Sequence, residues 1–175
     1  MGIWAGSSRD KSGQTQSIQV MEDFYTQDTF VIPGGYPQAS TTEPVRLPVP
    51  RSAEASTWNQ WTSVWLRDPW DREEAGEHWP AGAMVCFLTD QLLADPQTAP
   101  ATALFLPTEN EILEGITATR DKIMLTTLRD VVPRITTLTP AADGQWDSEL
   151  LTTPPTDNPF LTVAVGPVAP LEDNR

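Results

Sequence analysis

The chain has 175 residues, which fits one domain with a long arm or two very small domains. Its net charge of −13, from 24 acidic and 11 basic residues, argues against nucleic acids and anionic membrane surfaces as partners, because both attract lysine and arginine. With 17 prolines and 39% apolar residues, the chain is expected to be rich in strands and loops, since proline interrupts helices. The acidity itself fits either solubility at high concentration or a high-salt habitat.

The N-terminal third is predicted to be an arm followed by strands. Residues 1–17 are polar and glycine-rich apart from Ile3 and Trp4, which predicts an extended N-terminal arm. Residues 18–32 carry β-branched and aromatic side chains in partial alternation and predict one or two strands, which end at P-G-G-Y-P. Residues 43–50, E-P-V-R-L-P-V-P, alternate apolar residues with proline and predict an extended edge strand or surface arm.

Two short apolar runs in the middle of the chain, 82–89 and 101–107, are typical of buried strands. The polar segment between them predicts a short helical turn and a loop. After them, Thr108 and Glu111 form a capping-box pattern ahead of an apolar cluster, which predicts one short helix over 109–117.

The C-terminal third is predicted to return to strands. Threonine-rich and β-branched sequence favours two strands with a turn near Arg129 and Asp130, over a continuation of the helix. Residues 141–159 are expected to form a loop, and F-L-T-V-A-V, 160–165, a last strand.

These elements together predict an all-β fold of about seven or eight strands. Alternating β and α units are absent, so a parallel α/β sheet is not supported. We expect a single antiparallel β-barrel or sandwich, jelly-roll-like, over 18–166, with proline-rich loops and one short helix. The arm over 1–17 would precede it, and a tail over 167–175 would follow it.

The residues that could carry chemistry are few. Residues 68–80, D-P-W-D-R-E-E-A-G-E-H-W-P, place Glu74 four positions before His78, as metal ligands can be spaced on a helix. His78 is the one imidazole in the chain, so a solvated acidic loop is favoured over a metal site. Cys86, the one cysteine, lies in an apolar run and is expected to be buried and inert.

No sequence motif indicates catalysis, a cofactor or a targeting signal. There is no G-x-S-x-G, no phosphate-binding loop and no G-x-G-x-x-G. A lone cysteine excludes a disulfide within the chain, and no apolar run is long enough for a signal peptide or a membrane span. We therefore predict a non-enzymatic protein with no cofactor, no metal and no membrane insertion.

Four tryptophans lie within residues 56–70, and a core, an assembly interface and a sugar-binding platform would each explain them. Arms, threonine richness and the absence of catalytic motifs favour a structural subunit of a large assembly. We predict a virion protein (capsid, capsid-decorating, minor capsid or connector subunit) that binds copies of itself and other shell proteins. It would lie in the virion after assembly in the host cytoplasm, and otherwise in the cytoplasm. The residues predicted at its interface are Ile3, Trp4, Pro44, Val45, Leu47, Pro48, Trp58, Trp61, Trp65 and Trp70.

Two other functions stay open at the level of sequence. A carbohydrate- or ligand-binding β-sandwich would use Trp58, Trp61 and Trp65 as a stacking platform. A small hydrolase would use acidic residues within 68–78.

Overall fold

A computed structural model describes residues 2–10, 13–23, 25–32, 43–119, 121–141 and 145–151. The described residues form antiparallel sheets with one short helix, which confirms the all-β class. They form no closed barrel, and the predicted sandwich is not confirmed. The chain divides into two compact units, residues 1–108 and 109–175, and the predicted boundaries at 18 and 166 stay a prediction.

The first sheet contains β1 (Gly2–Asp10), β2 (Gly13–Met21), β3 (Gln27–Ile32) and β4 (Val45–Arg46), in chain order. β1 and β2 form a hairpin with Gly2 opposite Met21, and the predicted arm over 1–17 stays a prediction. Pairing satisfies the backbone polar groups that an arm would leave to solvent. The proline-flanked β4 lies at the sheet edge, as its sequence predicts.

The second sheet contains β5 (Glu54–Trp58) and β6 (Trp61–Trp65), followed by β9 and β10. Between β6 and β9 the chain forms a separate hairpin, β7 (Trp70–Arg72) and β8 (Glu77–Trp79). Both predicted strands are present, as β9 (Met84–Leu88) and β10 (Thr102–Phe105). The predicted burial is confirmed for β9 and is wrong for β10, which lies at the sheet edge and is only partly buried. The predicted helical turn between them is α1 (Thr89–Ala94).

The described residues of the second compact unit form a four-stranded sheet of β11 (Glu111–Ala118), β12 (Ile123–Arg129), β13 (Val132–Pro140) and β14 (Trp146–Leu151). The predicted turn between the central strands is confirmed at Asp130 and Val131, both at positive φ. The loop predicted over 141–159 is wrong at β14, and the strand predicted over 160–165 lies outside the described residues. The tail over 167–175 lies outside them too.

The helix predicted over 109–117 is wrong, because most of this segment forms β11. Its β-branched residues Ile112, Ile116 and Thr117 pair with β12, where sheet packing outweighs the capping-box pattern. The register shifts between Leu113 and Gly115, so the glycine lies at a bulge.

The core of the first unit lies on one face of the second sheet. Val64 is opposite Val85 on the adjacent strands β6 and β9, and both are fully buried. Leu47 and Leu92, from the segment after β4 and from α1, belong to the same apolar cluster. This packing fixes the register of the sheet, because a one-residue slip would move Val64 and Val85 out of the cluster.

In the described part of the chain, no helix has both the length and the apolar character needed to cross a membrane.

Candidate functional site

The segment predicted to be a solvated acidic loop is an ordered hairpin over most of its length. Trp70 is opposite Trp79, Asp71 opposite His78, and Arg72 opposite Glu77. A turn of 3-10 helix at Glu73–Ala75 joins β7 to β8. The turn ends at Gly76, which has a φ of 67°. Glycine is favoured at this φ because glycine has no Cβ.

Strand alternation gives this hairpin two chemically different faces. Trp70, Arg72 and their partners Glu77 and Trp79 lie on one face, whereas Asp71 and His78 lie on the other. The first face packs on the second sheet, since the Trp70 and Phe87 rings are 5.8 Å apart.

Arg72 is the one charged residue among the fully buried side chains of the described residues, with 1% of its surface exposed. Its Nη1 donates to Oε2 of Glu77 at 2.5 Å. Its Nη2 donates to the carbonyl oxygens of Pro96, at 3.1 Å, and Ala99, at 2.7 Å. The guanidinium therefore joins the hairpin to the connection between α1 and β10.

Aromatic rings complete the surroundings of this cation. The guanidinium carbon is 5.6 Å from the ring centroid of Trp70 and 5.0 Å from that of Phe87, within cation–π range. Trp79 donates its indole N–H to Oε2 of Glu77 at 3.1 Å, so the carboxylate has two donors. Nε of Arg72 is buried without a hydrogen-bond partner among the described residues. The site is therefore a packed ion pair and holds the hairpin in place.

The outer face carries the one histidine. His78 Nδ1 lies 2.5 Å from Oδ1 of Asp71, and both side chains are about two-thirds exposed, at 68% and 67%. Glu74, the ligand partner considered from sequence, lies in the 3-10 turn and His78 in β8, so the two do not share a helical face. Within the described ranges, no group of three or more potential ligands is positioned to hold a metal ion.

The thiol of Cys86 is buried in β9, as predicted. Burial raises its pKa from 9.0 to about 12, because the thiolate would lose its hydration. The thiol is therefore protonated at neutral pH and is a poor nucleophile.

The residues predicted at an interface differ widely in exposure. Trp58 and Trp61 are opposite each other and buried, with 6% exposed each, and Leu47 is buried in the core. Trp65 and Trp70 are half-buried. Pro48 is half-buried. The other four residues are exposed: Ile3, Trp4, Pro44 and Val45. An interface role for these residues stays a prediction.

Arg72 was missed by sequence reasoning. It was counted within an acidic run, and its neighbours in sequence suggest a solvated charge. The alternation W-D-R, followed after a turn by E-H-W, was the available signal, because period-2 alternation would place both tryptophans and the Arg–Glu pair on one face.

Comparison with known proteins finds similarity to bacterial peptidases. The chain is 28% identical over 141 residues to an uncharacterized peptidase of Sinorhizobium fredii, covering 80% of this chain and 19% of that protein. It is 26% identical over 148 residues to an uncharacterized peptidase of Rickettsia prowazekii, covering 84% of this chain and 20% of that protein. No protein-family model matches the chain.

A solved structure shares the fold. A post-proline cleaving enzyme from Rickettsia typhi superposes with a TM-score of 0.72 and 24% identity, over 87% of this chain and 22% of that chain. The chain thus spans about a fifth of the length of the curated relatives and of the solved structure that it matches.

These similarities overturn the function predicted from sequence. The prediction of a virion structural subunit is wrong, and so is the virion localisation, because the matching proteins are bacterial and named as peptidases. The prediction of a non-enzymatic protein is wrong for the same reason. The alternative of a carbohydrate- or ligand-binding module is not supported. Acidity and extended segments are general features of soluble chains, so they were weak grounds for a particle subunit.

Proposed function

We propose that the chain is part of a peptidase that hydrolyses peptides on the carboxyl side of proline. The observation that carries the assignment as a peptidase is the 28% identity to an uncharacterized peptidase over 80% of the chain. The proposed specificity for proline comes from the structural similarity to a post-proline cleaving enzyme over 87% of the chain.

Within such a peptidase, we propose that this chain contributes folded framework. Each of the three four-stranded sheets among the described residues runs in chain order, which is the topology of propeller blades and differs from the Greek-key order of most sandwiches. The Cys86 thiol is buried and protonated, and the Asp71–His78 pair lies on the outer side of a hairpin. In the relatives the matched segment is about a fifth of the protein, and the groups that attack the peptide bond would then lie outside that segment.

The test is hydrolysis by the full-length gene product. Two chromogenic peptides that differ only by proline or alanine before the scissile bond should separate by at least about tenfold in kcat/KM, in favour of proline. Equal rates for the two peptides would contradict post-proline specificity. No hydrolysis of either peptide, by protein shown to be folded, would contradict the assignment as a peptidase.

A further inference from the structure

Most edge strands of the described sheets carry a feature that hinders pairing with another chain. An edge strand presents a row of backbone N–H and C=O groups, and proteins shorten, bend, charge or cover such strands. β4 has two residues and follows Pro44, and β7 and β8 have three residues each. β10 and β11 are each interrupted by a register shift, and β14 carries Asp147 and Glu149.

The edge strand β5 is covered by side chains from the first sheet. The amide of Gln19 donates to the carbonyl oxygen of Ala55 at 3.2 Å, and the amide of Gln27 donates to that of Ala53 at 2.8 Å. Ala53 and Ala55 are each only 2% exposed. These two carbonyl groups are therefore satisfied within the chain and do not accept a further strand.

β1 has none of these protections among the described residues. It is nine residues long without proline, and its register with β2 runs without a shift over all nine. Residues 2–8 are uncharged, and Ile3 and Trp4 are 68% and 54% exposed. No described strand pairs with the outer edge of β1. This edge is therefore suited to the addition of a further strand.

We propose that β1 pairs with β1 of a second copy of the chain, antiparallel and about a two-fold axis. A fully overlapping pair places the axis at Gly6 and sets Ile3 opposite Arg9 of the second copy. The pairing joins the first sheets of the two copies into one continuous sheet. This inference goes beyond the proposed function and does not depend on it.

The charge distribution favours a second copy as the occupant. β1 contains one basic and one acidic residue, Arg9 and Asp10, whereas the chain as a whole has a net charge of −13. Two copies therefore repel each other least along this strand, and salt at about 0.15 M screens charges beyond roughly 8 Å. In the overlapping register Asp10 stands opposite Gly2, so no like charges meet. A neutral strand attracts neither basic nor acidic peptides, but it matches a copy of itself.

Sedimentation of the chain over a range of concentrations tests the proposal. We expect a dimer that dissociates on dilution. Ile3→Lys should raise its Kd at least about tenfold, because the lysine would stand opposite Arg9 of the second copy and like charges repel. Ile3→Glu should raise the Kd less, because the glutamate would stand opposite an arginine. Ile112→Lys is the matched control, since Ile112 is 54% exposed on the interrupted edge strand β11, and it should leave the Kd unchanged.

Three results of this experiment would overturn the inference. The first is a chain that stays monomeric at about 1 mM, which leaves a peptide of another protein as the occupant. The second is an equal effect of lysine at positions 3 and 112. The third is a stronger loss with Ile3→Glu than with Ile3→Lys, because general attraction to an acidic chain would favour lysine.

Crosslinking locates the contact independently. In the overlapping register the two copies of residue 5 are diagonal neighbours, roughly 7–8 Å apart, so a short bismaleimide should join Ala5→Cys chains into covalent dimers. The buried thiol of Cys86 leaves a silent background. Lys122→Cys is the control, because Lys122 is exposed in the turn between β11 and β12. Equal crosslinking at the two positions would overturn the inference, since it would reflect random collision.

Discussion

The substitution Arg72→Ala removes the buried guanidinium. It should destabilise the first compact unit more than the removal of an exposed arginine does. The substitution removes one of the two donors to Glu77 and the Arg72 donor to the carbonyl oxygens of Pro96 and Ala99. Breaking a buried ion pair by removing one partner costs about 3–5 kcal/mol. Glu77 keeps 24% of its side chain exposed and regains water, so we expect about 3 kcal/mol, the lower end of that range.

The assay is denaturant unfolding followed by tryptophan fluorescence, with Arg67→Ala as the matched control. Arg67 pairs with Glu54, and both side chains are about half exposed, at 52% and 46%, so its removal should cost less than about 1 kcal/mol. The Arg72→Ala loss corresponds to roughly 6–12 °C in Tm for a chain of this size. A double variant, Arg72→Met with Glu77→Gln, removes both charges and should lose less than Arg72→Ala. If Arg72→Ala and Arg67→Ala unfold at the same denaturant concentration, the reasoning about the buried charge is wrong.

Three further predictions address burial and backbone strain. Because burial raises the pKa of Cys86 to about 12, the thiol of the folded chain keeps a proton that the unfolded chain loses above pH 9.0. The free energy of unfolding should therefore fall by about 1.4 kcal/mol per pH unit in that range relative to Cys86→Ala, and parallel pH profiles would contradict this. Trp58→Ala, at a site 6% exposed, should cost about 3–5 kcal/mol. Trp4→Ala, at a site 54% exposed, should cost under about 1 kcal/mol, and equal losses by denaturant titration would refute the contrast. Val131 has a φ of 66° and is 78% exposed, so Val131→Gly should raise Tm by relieving about 1 kcal/mol of strain. Val132→Gly, inside β13, should lower Tm, and a loss at both positions would show that the turn is unstrained.

The local sequence predicted the strands correctly where a single physical signal dominated. The apolar runs around Val85 and Leu104 form strands because short apolar runs bounded by turn residues favour strands, and the run around Val85 is also buried. Proline next to Val45 confined that segment to a sheet edge, because it cannot donate to a second neighbour. At Glu111 a capping signal competed with β-branched sequence, and pairing with β12 decided the outcome.

The sequence by itself determined the all-β class and the inert cysteine, because apolar periodicity, proline and burial tendency act over a few residues. Only the tertiary structure decided the environment of Arg72, since Glu77, Phe87 and Ala99 approach it through the β7–β8 hairpin and a distant connection. Only the tertiary structure also decided which side chains of β11–β14 share a face of the sheet. Which side chains share a face depends on the strand register and a bulge, and contacts between strands set both of these.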